Sequence, residues 1–244
     1  MAILFLPRRL ADTDVPFVAA GVTLRTYTGS GEPAWEVYAR EGEVVGESGT
    51  LSNVEVRFLS SDETALTATA ARLAQAERTS TLSGGVVIER EDGLRLETEE
   101  ITWDEEEERL LAGSITLAIR NLSVEGESFA YDLRDERATI AGGVRATIDR
   151  DPPLLVVGER AEEADEVLAV EGDVRIESPD GIYRCDRIEA HEETAALLGG
   201  VEAHFDEGEL RADFAEIDAG GGITATGGVS LRIDLDTEEA SNGS

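Results

Sequence analysis

Lysine is absent from this sequence: all 21 basic residues are arginine, set against 53 acidic ones, for a formal net charge of −32. A field of that sign repels nucleic acid, whose binding rests on neutralising phosphates, and it opposes adsorption to anionic headgroups. It reads first as a solvated surface and second as one that gathers cations or basic partners. The Gly-Gly pairs are not phosphate loops, because strands follow them and no lysine exists to reach a phosphate. Cys185 is the only cysteine, which excludes an internal disulfide framework. It has Asp186 beside it and no activating base, so it reads as a packing residue rather than a nucleophile. Histidine is limited to His191 and His204. Their spacing from Cys185 and Glu189 fits no compact ligand pattern, so neither a metal nor another cofactor is expected. Aromatics make up 5% of the chain, which argues against the sugar platform of a carbohydrate-active β-sandwich enzyme. Long apolar runs are missing too. Ala2-Ile3-Leu4-Phe5-Leu6 is stopped by Pro7-Arg8-Arg9, well short of the roughly 20 residues that span a bilayer. Its charges follow the apolar run, the reverse of a signal peptide.

What is present is a repeat. Leu82-Ser83-Gly84-Gly85-Val86-Val87-Ile88 leads through Asp92-Gly93 to Leu94-Arg95-Leu96-Glu97-Thr98. This reads as strand, turn, strand, with Val86 and Ile88 on one face and Leu94, Leu96 and Thr98 on one face. Gly84 inside the apolar run predicts a bulge or bend. Glycine stands two residues before an apolar residue at Gly84/Val86, Gly113/Ile115, Gly142/Val144, Gly172/Val174, Gly199/Val201 and Gly227/Val229, in steps of 29, 29, 30, 27 and 28 residues. Leu82, Leu111, Ile140, Val170 and Leu197 stand four before the apolar position, weakening to Ala225 in the last copy. Two degenerate copies carry Val22 and Val54, with Ala20 and Ser52 in the glycine slot. A fixed period of this length marks a stacked all-β architecture of hairpins, none of which can stand alone. Eight such units give about 16 strands, or roughly eight per sheet, in a stack about 40 Å long.

Along the chain, residues 1–16 read as a leader, linker or truncated anchor, and strand pairing begins near Phe17. Residues 62–77 carry helix-favouring Ala and Leu. The repeat nevertheless puts a return strand there, with Thr64, Thr67 and Thr69 suited to it. The run Asp104-Glu105-Glu106-Glu107-Glu108 reads as a solvated turn. Asp149-Arg150-Asp151-Pro152-Pro153 is the best internal boundary, because paired prolines break sheet pairing. The closing repeats align Tyr183-Arg184-Cys185-Asp186 with Leu210-Arg211-Ala212-Asp213, so Cys185 fills the small slot of Ala212. Residues 236–244 read as a disordered tail.

Residues 17–149 resemble the LptC family of lipopolysaccharide export. The resemblance is carried by Gly21-Val22-Thr23-Leu24, Trp35-Glu36-Val37-Tyr38-Ala39, the Leu82–Ile88 run and Asp92-Gly93-Leu94-Arg95-Leu96-Glu97-Thr98-Glu99. Residues 150–235 resemble the related LptA/OstA-like repeat through Glu171-Gly172-Asp173-Val174-Arg175-Ile176, Arg184-Cys185-Asp186 and Arg211-Ala212-Asp213. The resemblance implies a twisted open β-jellyroll of two facing antiparallel sheets with an apolar groove for lipid A acyl chains. It implies a non-enzymatic carrier or bridge that moves lipopolysaccharide from the inner-membrane transporter across the periplasm. Its implied partners are the transporter's β-jellyroll domains and an LptA-like protein, met by edge-to-edge strand pairing. The implied location is periplasmic and inner-membrane associated, with the anchor absent or cut short in this chain. Two departures stand out: that anchor, and the fusion of LptC-like and LptA-like parts.

Face parity assigns the groove to Val54, Val56, Phe58, Val86, Ile88, Leu94, Leu96, Ile115, Leu117, Phe129, Tyr131, Val144, Val174, Ile176, Val201, Phe205, Leu210 and Val229. A dry groove is needed because exposing a fatty chain costs about 0.8 kcal/mol per methylene. The same side chains also suit an ordinary sandwich core. The competing reading is a structural or adhesive β-repeat protein of the cell envelope with a fully packed interior.

Overall fold

The computed structural model describes residues 17–233, apart from 28–32, 46–47, 60–65, 77–78, 92, 105–106, 108, 133–134, 136, 150–152, 165–166, 180, 191–193, 207 and 219–221. The side chains of 17, 26–27, 33–35, 44–45, 58 and 164 also lie outside the description. Every element described is a β-strand. In chain order they are β1 (Phe17–Tyr27), β2 (Pro33–Val45), β3 (Ser48–Phe58), β4 (Leu66–Ala76), β5 (Thr79–Arg90), β6 (Arg95–Asp104), β7 (Arg109–Ala112), β8 (Ile115–Ile119) and β9 (Leu122–Gly126). They continue with β10 (Ser128–Asp132), β11 (Arg137–Ile148), β12 (Leu154–Ala164), β13 (Val167–Ser178), β14 (Gly181–Ala190), β15 (Thr194–Phe205), β16 (Gly208–Asp218), β17 (Ile223–Thr226) and β18 (Ser230–Ile233). Consecutive strands pair antiparallel, as in β4 with β5, β5 with β6 and β13 with β14. This is the all-β fold that the hairpin period predicts, and it is jellyroll-like, as the resemblance implies. Three of the expected long strands run as two segments each, β7/β8, β9/β10 and β17/β18, so the eighteen segments described make up fifteen long strands, close to the sixteen expected.

The chain forms two compact units, Met1–Gly142 and Gly143–Ser244.

The glycines make the corners. Gly84 and Gly85 have φ of 84° and 79°, in the left-handed region that glycine enters without steric cost. Between Ser83 and Val86 the pairing of β5 shifts against both β4 and β6. Leu82 and Val86, four residues apart, therefore face Ile101 and Thr98, three apart. One extra residue on one strand is a β-bulge, which bends that strand. Equivalent shifts occur on β13 between Glu171 and Val174 and on β15 between Leu198 and Val201. Each bent strand thus has two arms. The first arm of β5 carries Leu82 and pairs with Leu73 and Ile101; the second carries Ile88 and pairs with Ala68 and Leu96.

Two sequence expectations are corrected here. In the degenerate copies the left-handed residues are Gly21 and Asn53, with φ of 67° and 52°, one position after the expected Ala20 and Ser52. Asparagine tolerates that conformation where most side chains do not. No residue is inserted at Asn53, since Ser52↔Arg72 and Val54↔Ala70 stay in step. The second correction concerns Gly113, which is not in the left-handed region. Ile101↔Ala112 and Thr98↔Ile115 keep equal spacing there, so the bulge is missing. Leu111 consequently points outward and is 43% exposed, while its neighbours Leu110 and Ala112 pack inward.

Residues 66–76 of the helix-like segment form β4. The alternation of Ala68, Ala70 and Leu73 into the core outweighs the helix propensity of alanine.

In the first unit, Val37, Ala39, Leu51, Val54, Val56, Ala68 and Leu73 form one buried cluster, and Ala70, Val86 and Ile101 form a second. Leu51 and Leu73 belong to first arms, whereas Val56 and Ala68 belong to second arms. The two arms therefore meet across the bend. In the second unit Val170, Ile188, Leu197 and Ala215 are buried on the first arms, and Val174, Ile176, Val201 and Ala203 on the second. Each fully buried Val, Leu or Ile is worth about 1.5–3 kcal/mol against leaving it in water.

Candidate functional site

The candidate site is the inner face of the bent strands. Burial along it is uneven. Next to the glycines, Val86, Val144, Val174, Ile176 and Val201 are at most 1% exposed. Val54, Val56, Leu96, Ile115, Phe129 and Leu210 are also buried. Further from the corner, Ile88, Leu94, Leu117, Tyr131 and Phe205 are half-buried, forming a rim. Phe205 packs edge-on against the buried Tyr183, with ring centroids 5.7 Å apart. Phe58 falls on β3, but its side chain lies outside the described residues. Val229 is the most exposed of the assigned residues that are described. It lies in the break between β17 and β18 and is 52% exposed, as Leu231 and Ile233 are at 61% and 57%.

The groove assignment missed the inward residues on the far side of each corner. Leu73, Ile101, Ile188, Leu197 and Ala215 are all buried. The inward spacing across the corner is four residues on the bulged strand and three on its neighbour, so parity carried across names the wrong face on the neighbour, as for Ile101 and Ile188, and the right one on the bulged strand, as for Leu197. The apolar position four before each valine was the signal that could have found Leu197. Small residues share the face: Ala68, Ala161, Ala203 and Cys185 are buried. Burial pushes the Cys185 thiol up to about 11.

Thr98 is a buried polar residue on this face. It is 9% exposed, and its hydroxyl reaches the carbonyl oxygens of Ser114 at 3.0 Å and Glu100 at 3.2 Å. A pocket of about 370 Å³ opens at the same place, lined by Thr98, Glu99, Glu100, Leu111, Ala112, Gly113 and Ser114. It marks the break between β7 and β8.

The outer faces carry the charge. Arg57 meets Glu55 at 2.5 Å and lies over the Tyr38 ring at 5.2 Å. Arg95 bridges Glu97 at 2.6 Å and also Glu89, and the hydrogen bond to Glu97 leads the causes that raise its pKa. In the second unit Arg160, Glu171, Arg187 and Glu189 form a cross-strand ladder. Exposed pairs of this kind are worth about 0–1 kcal/mol each, so they tune the surface rather than hold the fold. His204 Nδ1 stands 3.6 Å from Glu209 Oε1 on the same outer side; His191 lies outside the described residues. No group of three or more His, Cys, Asp or Glu among the described residues could hold a metal ion.

Chemically, the arrangement is an apolar face, closed at the corner and half-open at the rim, behind a charged exterior. Comparison with known proteins adds one family: the family model described as LptC, "Lipopolysaccharide-assembly, LptC-related", matches residues 5–149, more than half of the chain. No curated protein matches.

Proposed function

The chain belongs to the LptC-related lipopolysaccharide-assembly family and so to lipopolysaccharide transport, and from that premise we propose that it is a carrier that moves the lipid across the periplasm on its inner face. The family is a non-enzymatic, periplasmic and inner-membrane-associated transport component. No helix among the described residues is long and apolar enough to cross a membrane. The observation that supports the carrier reading is the graded inner face, with Ile88, Leu94 and Leu117 half-buried at its rim and Val86 buried at its corner. Acyl chains enter along the rim, and the headgroup stays outside the acidic surface with cations bridging. On this reading residues 150–235 are the LptA/OstA-like part. The exposed apolar side chains of Val229, Leu231 and Ile233 make β17 and β18 the place where an LptA-like partner adds a strand. The transporter's β-jellyroll domains are the other partner.

A photo-crosslinker at Ile88 or Leu117 captures lipopolysaccharide while the transporter is active, and one at the outward, exposed Glu97 does not. Equal labelling at all three positions, or none in a folded protein, would overturn the reading. The competing reading, a packed structural repeat, draws on the corner valines, which leave no slot for a chain unless the arms part. Absence of crosslinks at the rim favours it.

A further inference from the structure

The rim of the first unit is not uniformly apolar. Gln75 pairs with Ser80, Ser80 with Trp103, Trp103 with Leu110, and Leu110 with Tyr131, so these residues form one cross-strand row on the first arms. Trp103 stands two residues beyond the inward Ile101, with unbroken register between them, so both share the inner face. The corresponding row of the second unit is Leu168, Ala190, Ala195, Ile217 and Ile223, with no polar side chain.

Trp103 Nε1 is closed to solvent, and among the described residues nothing accepts its hydrogen bond. A buried indole N–H normally finds an acceptor, and leaving it without one is destabilising. Ile101 beside it is 4% exposed, so the N–H sits where hydrocarbon meets the rim. Resting on the carrier reading above, we propose that Trp103 is a polar subsite that donates to the ester or amide carbonyl at the head of an acyl chain lying on the inner face. The indole is a donor only, so its partner must be an acceptor. A phosphate is the wrong one. One neutral donor does not offset the desolvation of a multiply charged group, and no arginine stands in the row. A carbonyl is neutral, occurs where an acyl chain joins its headgroup, and needs one donor.

The test uses the intact chain and two lysophospholipids with the same headgroup, one tetradecanoyl ester and one tetradecyl ether. The ester binds about five- to tenfold more tightly, the worth of one hydrogen bond. In Trp103→Phe, or with 3-benzothienylalanine at the position so that sulfur replaces the N–H, the two lipids bind equally. The wild-type indole proton resonance of Trp103 shifts downfield with bound ester and not with bound ether, a readout that needs no variant. If both lipids bind the wild type equally, the subsite is overturned and the carrier reading stands. The same holds if the ester preference survives in Trp103→Phe or if bound ester leaves the resonance unmoved. If neither lipid binds the folded chain, the carrier reading fails and the subsite fails with it.

Discussion

Gly199 lies directly against Asp186: a Cβ built on the glycine would fall 2.9 Å from the Cβ of the aspartate on the neighbouring strand. Its successor, Gly200, has nothing within 4 Å of the same position. The two residues share one corner and one conformational demand, with φ of 76° and 56°, and differ only in what they touch.

That difference makes a paired prediction. Gly200→Ala costs about 1–2 kcal/mol, the penalty of a side chain in the left-handed region. Gly199→Ala adds an overpacking cost of about 1–3 kcal/mol because Asp186 must move. Urea unfolding of both variants measures the gap, and Asp186→Ala in the Gly199→Ala background narrows it. Equal losses in the two single variants would mean that the contact is immaterial.

Leu197 is fully buried and Leu111 is 43% exposed, although the repeat aligns them. Leu197→Ala therefore loses about 2–5 kcal/mol of unfolding free energy. Leu111→Ala stays within about 0.5 kcal/mol of the parent. Denaturant midpoints decide this, and a large loss at Leu111 would restore it to the core.

The Cys185 thiol, pushed up to about 11 from an ordinary 9.0 by burial, stays protonated in the folded chain after the unfolded chain has ionised. The unfolded state then binds fewer protons, so stability falls as pH rises between those two values. Lysine, absent from the chain, does not titrate in that window. Cys185→Ala, which copies the Ala212 slot, flattens the slope measured by thermal melts across that interval. A thiol reagent near neutral pH reacts slowly with the folded wild type, because the thiolate is the reactive form.

A net charge of −32 opposes compaction. Raising sodium chloride from about 0.01 M to about 1 M shortens the screening length from about 30 Å to about 3 Å. The expected result is a higher melting temperature, because screened repulsion outweighs the weakened Arg–Glu pairs. A lower one would show that ladders such as Arg160–Glu171–Arg187 contribute more than exposed pairs usually do.

Much of the fold was legible because the glycine spacing reports a backbone requirement that side-chain identity does not obscure. Gly84, Gly142, Gly172, Gly199 and Gly227 all adopt positive φ. Gly113 does not, although Leu111, Gly113 and Ile115 match the repeat: Ser114 follows it, where the other copies carry Gly85, Gly143, Asp173, Gly200 and Gly228, all at positive φ. Its departure arises where β7 and β8 break, with Thr98 bonding the Ser114 carbonyl, a contact between residues 16 apart in sequence. The inner face was half legible for a related reason. Alternation identifies Val174 and Ile176, but the three-residue step from Cys185 to Ile188 puts Ile188 on the opposite parity, while Leu197, four before Val201, keeps the parity and was marked by the repeat alone. Trp103 carried no repeat signal, since its role depends on what lies across the sheet.

The corners of β13 and β15 are interchangeable in register: Val174 faces Cys185 as Val201 faces Ala212. A whole hairpin can therefore be gained or lost without turning any inward side chain outward. A gain or loss of a single strand would reverse chain direction at the splice and unpair the corner. Duplication in such a gene moves in quanta of one hairpin, and the length of the protein is a number that evolution can count.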